Sequence, residues 1–303
     1  MSIFRIDVDE TLIEFNVDFK DFSLPKFFDG FLTANPRKSD ITFYLREFEL
    51  HPRKTISIGE AAWREIERKC VFFQEDIKNK SCLCNPKVFH RLYTRCRRNA
   101  GPIWVDVQDS SVTVMDLYAG ELDIFYSSEI RDIVARFHSV HPFFAPFFSF
   151  FSKALIHGSC LVLGEKAALF LGSDEAGKST VIRNARDGIC LSDDHILLKR
   201  KSNDFIASGT PWGLISTNNL SAPVGGIFML EKSGAFELIP STKTSTIKFL
   251  WNEHLSYYCL LPKEIKTAIF NLFCDLCSSV PSFIMRFPKD FVDWPAIHKA
   301  LYG

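Results

Sequence analysis

Between Phe4 and Tyr126 apolar and polar residues alternate mostly with period two, as in Ile103-Trp104-Val105-Asp106-Val107 and Val112-Thr113-Val114-Met115-Asp116-Leu117. Successive side chains of a strand face opposite ways, so this pattern predicts half-buried strands. Turn formers such as Gln108-Asp109-Ser110 separate the runs, and one helix is expected around Ala61 to Glu67. Ser127 and Ser128 then precede Glu129 to Phe137, an N-cap followed by apolar residues at helical spacing. The pattern therefore predicts a β-rich N-terminal domain over residues 1–126 and a second domain over 127–303.

The second half alternates strand and helix, so the chain reads as α/β, or α+β in its layout. Ser159 to Leu163, a turn at Gly164-Glu165-Lys166, and Ala167 to Leu171 predict a hairpin whose second strand runs into Gly172. A helix over Lys178 to Arg186 follows, with Gly188 as its stop, then one further strand over Ile189 to Lys199. Lys263 to Ser279 has a helical pattern. The most apolar stretch, Pro142 to Ile156, is shorter than the roughly 20 residues a membrane span needs and contains Pro146 and Lys153, so it predicts a buried helix.

Composition narrows the function classes. Lys plus Arg equals Asp plus Glu at 36 each in 303 residues, so no net field draws the chain to nucleic acid or anionic lipid. Neither partner is expected. The start MSIFRIDVDE lacks the features of a secretory signal, and the nine cysteines are odd in number and scattered, which points to reduced thiols in a cytoplasmic protein.

One motif carries chemistry directly. Gly172-Ser173-Asp174-Glu175-Ala176-Gly177-Lys178-Ser179, followed by Thr180, fits G-x-x-x-x-G-K-[ST] at every fixed position, between an apolar strand and a helix. In such a loop backbone N–H groups surround the phosphates of a nucleoside triphosphate, Lys178 reaches the β- and γ-phosphates, and Ser179 ligates Mg²⁺. Asp174 and Glu175 would repel phosphate if they pointed inward, so they are expected to point away. His157-Gly158 precedes the hairpin and Leu191-Ser192-Asp193-Asp194 follows the loop helix. Neighbouring strands of one sheet would bring these three elements to a common edge.

On these residues the sequence resembles the HPr serine kinase/phosphorylase family, and more closely the HPr-kinase-like enzymes of peptide biosynthesis, including those that phosphorylate lasso precursor peptides. The resemblance is specific from His157 to about Lys199. Beyond that it rests on Gly209-Thr210-Pro211-Trp212-Gly213 and Ile227-Phe228-Met229-Leu230. It implies a fold like phosphoenolpyruvate carboxykinase for the second domain, and transfer of phosphate from ATP, with Mg²⁺, to a serine of a peptide or small protein. The first domain would then dock the substrate or a partner. The resemblance also implies that Asp193 takes the proton from the acceptor, that Asp194 helps hold the metal or order the loop, and that His157 hydrogen-bonds the acid pair. Adjacent strand residues face opposite ways, so the two aspartates converge only where the strand ends or bulges. The second glycine-rich signature that accompanies phosphorylase activity is not found, so neither reversal of the reaction nor HPr as substrate is implied.

Two other function classes compete. Asp174 and Glu175 inside the loop suit a nucleotide-binding sensor or scaffold without catalysis. Asp7-Val8-Asp9-Glu10-Thr11-Leu12 matches the D-x-D-x-T start of haloacid-dehalogenase phosphatases, although the alternation that follows favours an edge strand. Cys70, Cys82, Cys84, His90 and Cys96 lack the usual zinc spacing and read as scattered thiols, and Cys274-x-x-Cys277 as a buried helix face. Arg91, Arg95, Arg97 and Arg98 read as a solvated face. The acceptor, the choice of ATP over GTP and the oligomeric state, a homo-oligomer included, stay open at this level.

Overall fold

A computed structural model describes residues 2–19, 22, 24, 26–48, 59–72, 83, 85–98, 101–108, 111–127, 141–185, 187–213, 215–258 and 261–303. The chain is mixed α/β, as the sequence predicts, with two sheets. It divides into two compact units, residues 1–25 with 32–139 and residues 26–31 with 140–303. The helix expected over Glu129 to Phe137 lies outside the described residues. Among the described residues no helix is long and apolar enough to cross a membrane.

The first unit is built on β1 (Ser2–Val8), β2 (Thr11–Asp18), β3 (Ile41–Phe48), β4 (Cys70–Phe72), β5 (Ile103–Gln108), β6 (Ser111–Asp116) and β7 (Glu121–Ser127), in the spatial order β1-β2-β3-β7-β6-β5-β4. The alternating runs at Ile103 and Val112 are β5 and β6, paired antiparallel. Helix α1 (Glu60–Lys69) sits where the sequence predicts one, and α2 (Pro86–Arg98) packs Val88, Leu92 and Cys96 with Val105, Val112, Val114 and Phe125. Asp9 and Glu10, at φ 52 and 67, form the tight turn between β1 and β2, and Asp7 pairs with Leu12 across that hairpin. The D-x-D-x-T match is thus the corner of a β-hairpin. Of the cysteines in the candidate zinc group, Cys70 and Cys96 have their sulfurs 3.6 Å apart, and Cys82 and Cys84 are outside the described residues.

The arginines of α2 correct the expectation of a solvated face. Arg95 is buried, and its guanidinium pairs with Glu121 and with Asp123, which is fully buried on β7. Arg91 Nε lies 2.9 Å and Arg46 Nε 3.2 Å from the same Asp123 carboxylate, and both guanidiniums lie over the Tyr44 ring. Residues 91 and 95 are one helical turn apart, so one face of α2 delivers both. Arg97 and Arg98 do remain exposed. Removing one partner of such a buried group strands the charges left behind. Asp123→Ala should cost about 3 kcal/mol or more in urea unfolding, and a loss below about 0.5 kcal/mol, the range of an ordinary surface substitution, would contradict this account of the network.

In the second unit α3 (His141–Phe150) buries Phe144, Phe147 and Phe148, with Phe144 4.0 Å from the buried ring of Trp212. The helix expected over Pro142 to Ile156 is shorter than that. A turn with Ser152 at φ 56 ends it, and Lys153–His157 is strand β8. The expected hairpin is present as β9 (Ser159–Leu163) and β10 (Lys166–Leu171), and α4 (Lys178–Asn184) follows the loop. The single strand expected over Ile189 to Lys199 is two, β11 (Ile189–Ser192) and β12 (His195–Lys201), with the chain bending at Asp193 and Asp194. Strand β11 pairs with β9, whereas β12 pairs with β8 and with β13 (Asp204–Gly209).

The remaining elements are β14 (Ser221–Lys232), β15 (Glu237–Pro240), α5 (Lys243–Tyr258), α6 (Lys263–Ser279), β16 (Ser282–Phe287) and α7 (Trp294–Tyr302). Helix α6 has the bounds its sequence pattern predicts, and its Cys277 is buried, with the thiol pushed up to about 12 by burial. Strands β10, β14 and β16 run parallel, so Leu171, Lys232 and Phe287 end at one edge of the sheet. Phe170, Phe228, Met285 and Phe287 form the core under that edge together with Val181 and Ile182 of α4.

Candidate functional site

Strand β10 delivers the chain to Gly172, where a Cβ would stand 2.5 Å from that of Ala176, so the loop closes only around a glycine. Gly177, at φ 108, takes the left-handed conformation needed to start α4, and a Cβ there would meet the Phe287 ring at 2.8 Å. Glu175 also has positive φ, 66. Lys178 is buried, and its ammonium donates to the carbonyls of Gly172 at 2.7 Å and Ser173 at 3.1 Å. Burial lowers the pKa of Lys178, against the opposing charges of Asp174, Asp194 and Glu253. Ser179 and Thr180 are half-buried in the first turn of α4.

The bend between β11 and β12 divides the two aspartates. Asp193 is 2% exposed, and its carboxylate accepts the backbone N–H of Ile215 at 3.0 Å and of Ser216 at 3.2 Å. Asp194 turns the other way. Its Oδ1 lies 3.2 Å from His157 Nε2 and its Oδ2 2.9 Å from His195 Nδ1, while its own backbone carbonyl accepts from Gly158 N–H at 2.8 Å. His157 and His195 are register partners on β8 and β12. Burial pushes the Asp194 carboxyl up, but the hydrogen bonds and charge of the two imidazoles outweigh it and hold the group well below the usual carboxylate range.

A third imidazole supports this pair from behind. His254, on α5, is fully buried; its Nε2 accepts the backbone N–H of His157 at 2.6 Å, and its Nδ1 donates to the Leu250 carbonyl at 2.7 Å. These two bonds fix one neutral tautomer. Burial, with smaller contributions from the charges of His157 and His195, lowers its pKa from 6.5 to about 4.

His157, Asp193, Asp194 and the loop between β10 and α4 line one cavity of about 250 Å³. All the loop residues from Asp174 to Thr180 except Ala176 reach it. Asp174 and Glu175 belong to the cavity's lining and both are exposed; the Asp174 side chain, 94% exposed, has Oδ1 3.9 Å from His157 Nε2. The structure brings the loop, His157 and the aspartate pair, all singled out by the sequence, to one cavity. The sequence did not single out His195, whose only signal was its place directly after Asp194, nor His254. The amides of 215 and 216 that occupy Asp193 had no signal at all.

No protein-family model and no curated protein matches the chain. Among solved structures, the chain is similar to the Hpr(Ser) kinase/phosphatase from Coxiella burnetii. That likeness covers 48% of this chain and 92% of the other, at 15% identity and a TM-score of 0.25. At that TM-score neither the fold nor the activity of that protein transfers to this chain.

The donor chemistry of the cavity suits Mg²⁺ and a polyphosphate. Its side chains offer carboxylate and hydroxyl oxygens, the ligands of a hard cation. Among the described residues no three His, Cys, Asp or Glu side chains form a ready-made metal cage. Mg²⁺ characteristically takes one or two protein oxygens and completes its shell from phosphate and water, so a cage is not required.

The His254 arrangement has a measurable consequence. Between pH 6.5 and about 4 the unfolded chain binds a proton that the folded chain refuses, so stability falls as pH falls through that window. At 1.4 kcal/mol per pKa unit the loss is on the order of 3 kcal/mol. Asp194, with its pKa lowered, starts to lose its own contribution as pH falls through the ordinary carboxylate range and goes on losing it below. Urea unfolding at pH 7 and pH 4.5 should show this slope in the wild type and a smaller one in His254→Gln, which keeps an acceptor where Nε2 stands. Equal slopes would contradict a buried neutral imidazole.

Proposed function

We propose that the chain is a kinase that transfers the terminal phosphate of ATP, with Mg²⁺, to a hydroxyl, the acceptor being a serine of a peptide or small protein. The observation that carries this reading is that the phosphate loop and the Asp194 carboxylate, held by His157, line the same cavity. A phosphate site on its own would serve many functions. A carboxylate fixed opposite it supplies the proton acceptor that transfer to a hydroxyl uses.

The loop's backbone N–H groups and the N-terminus of α4 would hold the triphosphate, and Lys178 would exchange its bonds to the Gly172 and Ser173 carbonyls for phosphate oxygens. Ser179 would be the hydroxyl that holds Mg²⁺, which when bound neutralises charge on the β- and γ-phosphates. Of the two aspartates, Asp194 is the better placed to act on the acceptor. The Asp193 carboxylate is 2% exposed and engaged by two backbone amides, whereas that of Asp194 is 21% exposed. We therefore give Asp194 the role that the resemblance assigns to Asp193, and give Asp193 the ordering of the 215–216 turn. In the reaction the acceptor oxygen bonds to the γ-phosphorus, the bond from that phosphorus to the β,γ-bridging oxygen breaks, ADP leaves, and the hydroxyl proton passes to Asp194.

A second reading draws on Asp174 and Glu175, which belong to the cavity's lining and whose charge opposes an incoming anion. It is a nucleotide sensor that binds ATP without turnover. The test is transfer of labelled γ-phosphate from ATP and Mg²⁺ to a mixture of serine-bearing peptides and small hydroxyl compounds. The kinase reading expects label on an acceptor, abolished in Lys178→Ala, reduced at least about 100-fold in Asp194→Asn, and reduced less in Asp193→Asn. ATP binding with no label on any acceptor would favour the sensor, and full activity in Asp194→Asn would remove that residue from the chemistry.

A further inference from the structure

The phosphate loop has a second face. On the flank away from His157 lies another cavity, of about 370 Å³, which shares Glu175, Gly177 and Thr180 with the first. Its remaining walls are Ala176 of the same loop and the ends of the other two parallel strands, with Lys232 and Ser233 at the end of β14, and Phe287 and Lys289 at the end of β16. The carboxyl ends of adjacent parallel strands are where α/β sheets bind their ligands.

We propose that this second cavity receives the nucleoside half of the nucleotide; the inference rests on the reading of Gly172 to Thr180 as a triphosphate loop. A polyphosphate chain seated on the loop has two ends, and two cavities flank the loop. The end that reacts must face Asp194 in the first. The other end carries the ribose and base, and the second cavity has the volume and lining for them. Pockets for such ligands span roughly 300–1,000 Å³ and combine an apolar wall with a few polar groups. Here the Phe287 ring, 3% exposed, forms the floor flush against Gly177, which explains why a Cβ at 177 would meet it. Lys232 and Lys289 stand exposed at the rim, where their methylene stems can cover a flat base and their ammonium ends can meet acceptor atoms of the ribose or base. Ser233 is half-buried, and its N–H is already bonded to the Phe287 carbonyl at 3.0 Å, so its position is set by the sheet. The two cavities differ in charge as this division requires. Four acidic residues and one lysine line the first, whereas one acidic residue, Glu175, and two lysines line the second.

The experiment compares two probes on the full chain by titration calorimetry in Mg²⁺, ATP and inorganic tripolyphosphate, which share the phosphate chain and differ in the nucleoside. The wild type should bind ATP at least about tenfold more tightly, a difference of about 1.4 kcal/mol. Ser233→Trp, which fills the cavity, should bring ATP down to the affinity of tripolyphosphate and leave tripolyphosphate unchanged. Lys289→Gln, at an exposed position that does not endanger folding, should weaken ATP about threefold or more with tripolyphosphate little altered. Equal affinity of the wild type for the two probes, or ATP binding untouched by both variants, would overturn the inference while leaving the phosphate loop intact. Binding of neither probe by the wild type would overturn the loop reading and this inference with it.

Discussion

The site is organised by one carboxylate that two strands hold between them. Asp194 is only 21% exposed, and a charge so far out of water is tolerated only if its lone pairs are met. His157 from the end of β8 and His195 from the start of β12 pair with it, one at each oxygen. Much else follows from that clamp. The chain must bend between β11 and β12 to aim Asp194 at β8, Gly158 N–H must close on the Asp194 carbonyl, and His254 must hold the His157 amide from the α5 side. The result fixes an acid–imidazole pair at the edge where β10 runs into the 172–177 loop.

Charge sets the second condition. Asp174, Glu175, Asp193 and Asp194 all belong to the lining of the first cavity, with the single ammonium of Lys178 among them. An anion entering such a cavity is repelled unless a cation enters with it, since at contact distances the repulsion is worth several kcal/mol at intermediate effective dielectric, about 4 kcal/mol per pair at 4 Å. The same carboxylates that look misplaced in a phosphate loop are therefore reasonable in a site that takes its phosphate together with a metal ion. The opposite flank, with two lysines, lacks that requirement.

Legibility from sequence followed the range of the interactions. The loop was readable because its residue types are dictated locally, by a left-handed glycine at 177, a glycine at 172 with no room for Cβ, and the lysine and serine at fixed spacing. Helix α6 and the β9–β10 hairpin were readable for the same reason, since periodicity and turn residues lie within one window. What escaped depends on partners far along the chain. The apolar pattern runs unbroken from Ile189 to Lys199, and only the pairing of β11 with β9 and of β12 with β8 splits it. Arg95 looks like a surface residue until β7 brings Asp123 beneath it. Asp193 and Asp194 are chemically identical neighbours, and what separates them is the amides of residues 215 and 216 on one side and His157 on the other.

The central claim is that Gly172 to Thr180, with these surroundings, forms a metal-dependent triphosphate site. Its most direct test is titration of the wild type and of Lys178→Ala with ATP, once in Mg²⁺ and once in EDTA. The expected result is binding by the wild type in Mg²⁺, at least about tenfold weaker binding in EDTA, and loss of binding in Lys178→Ala under both conditions. Affinity indifferent to the metal and to Lys178, or no binding of ATP by the wild type in Mg²⁺, would contradict it.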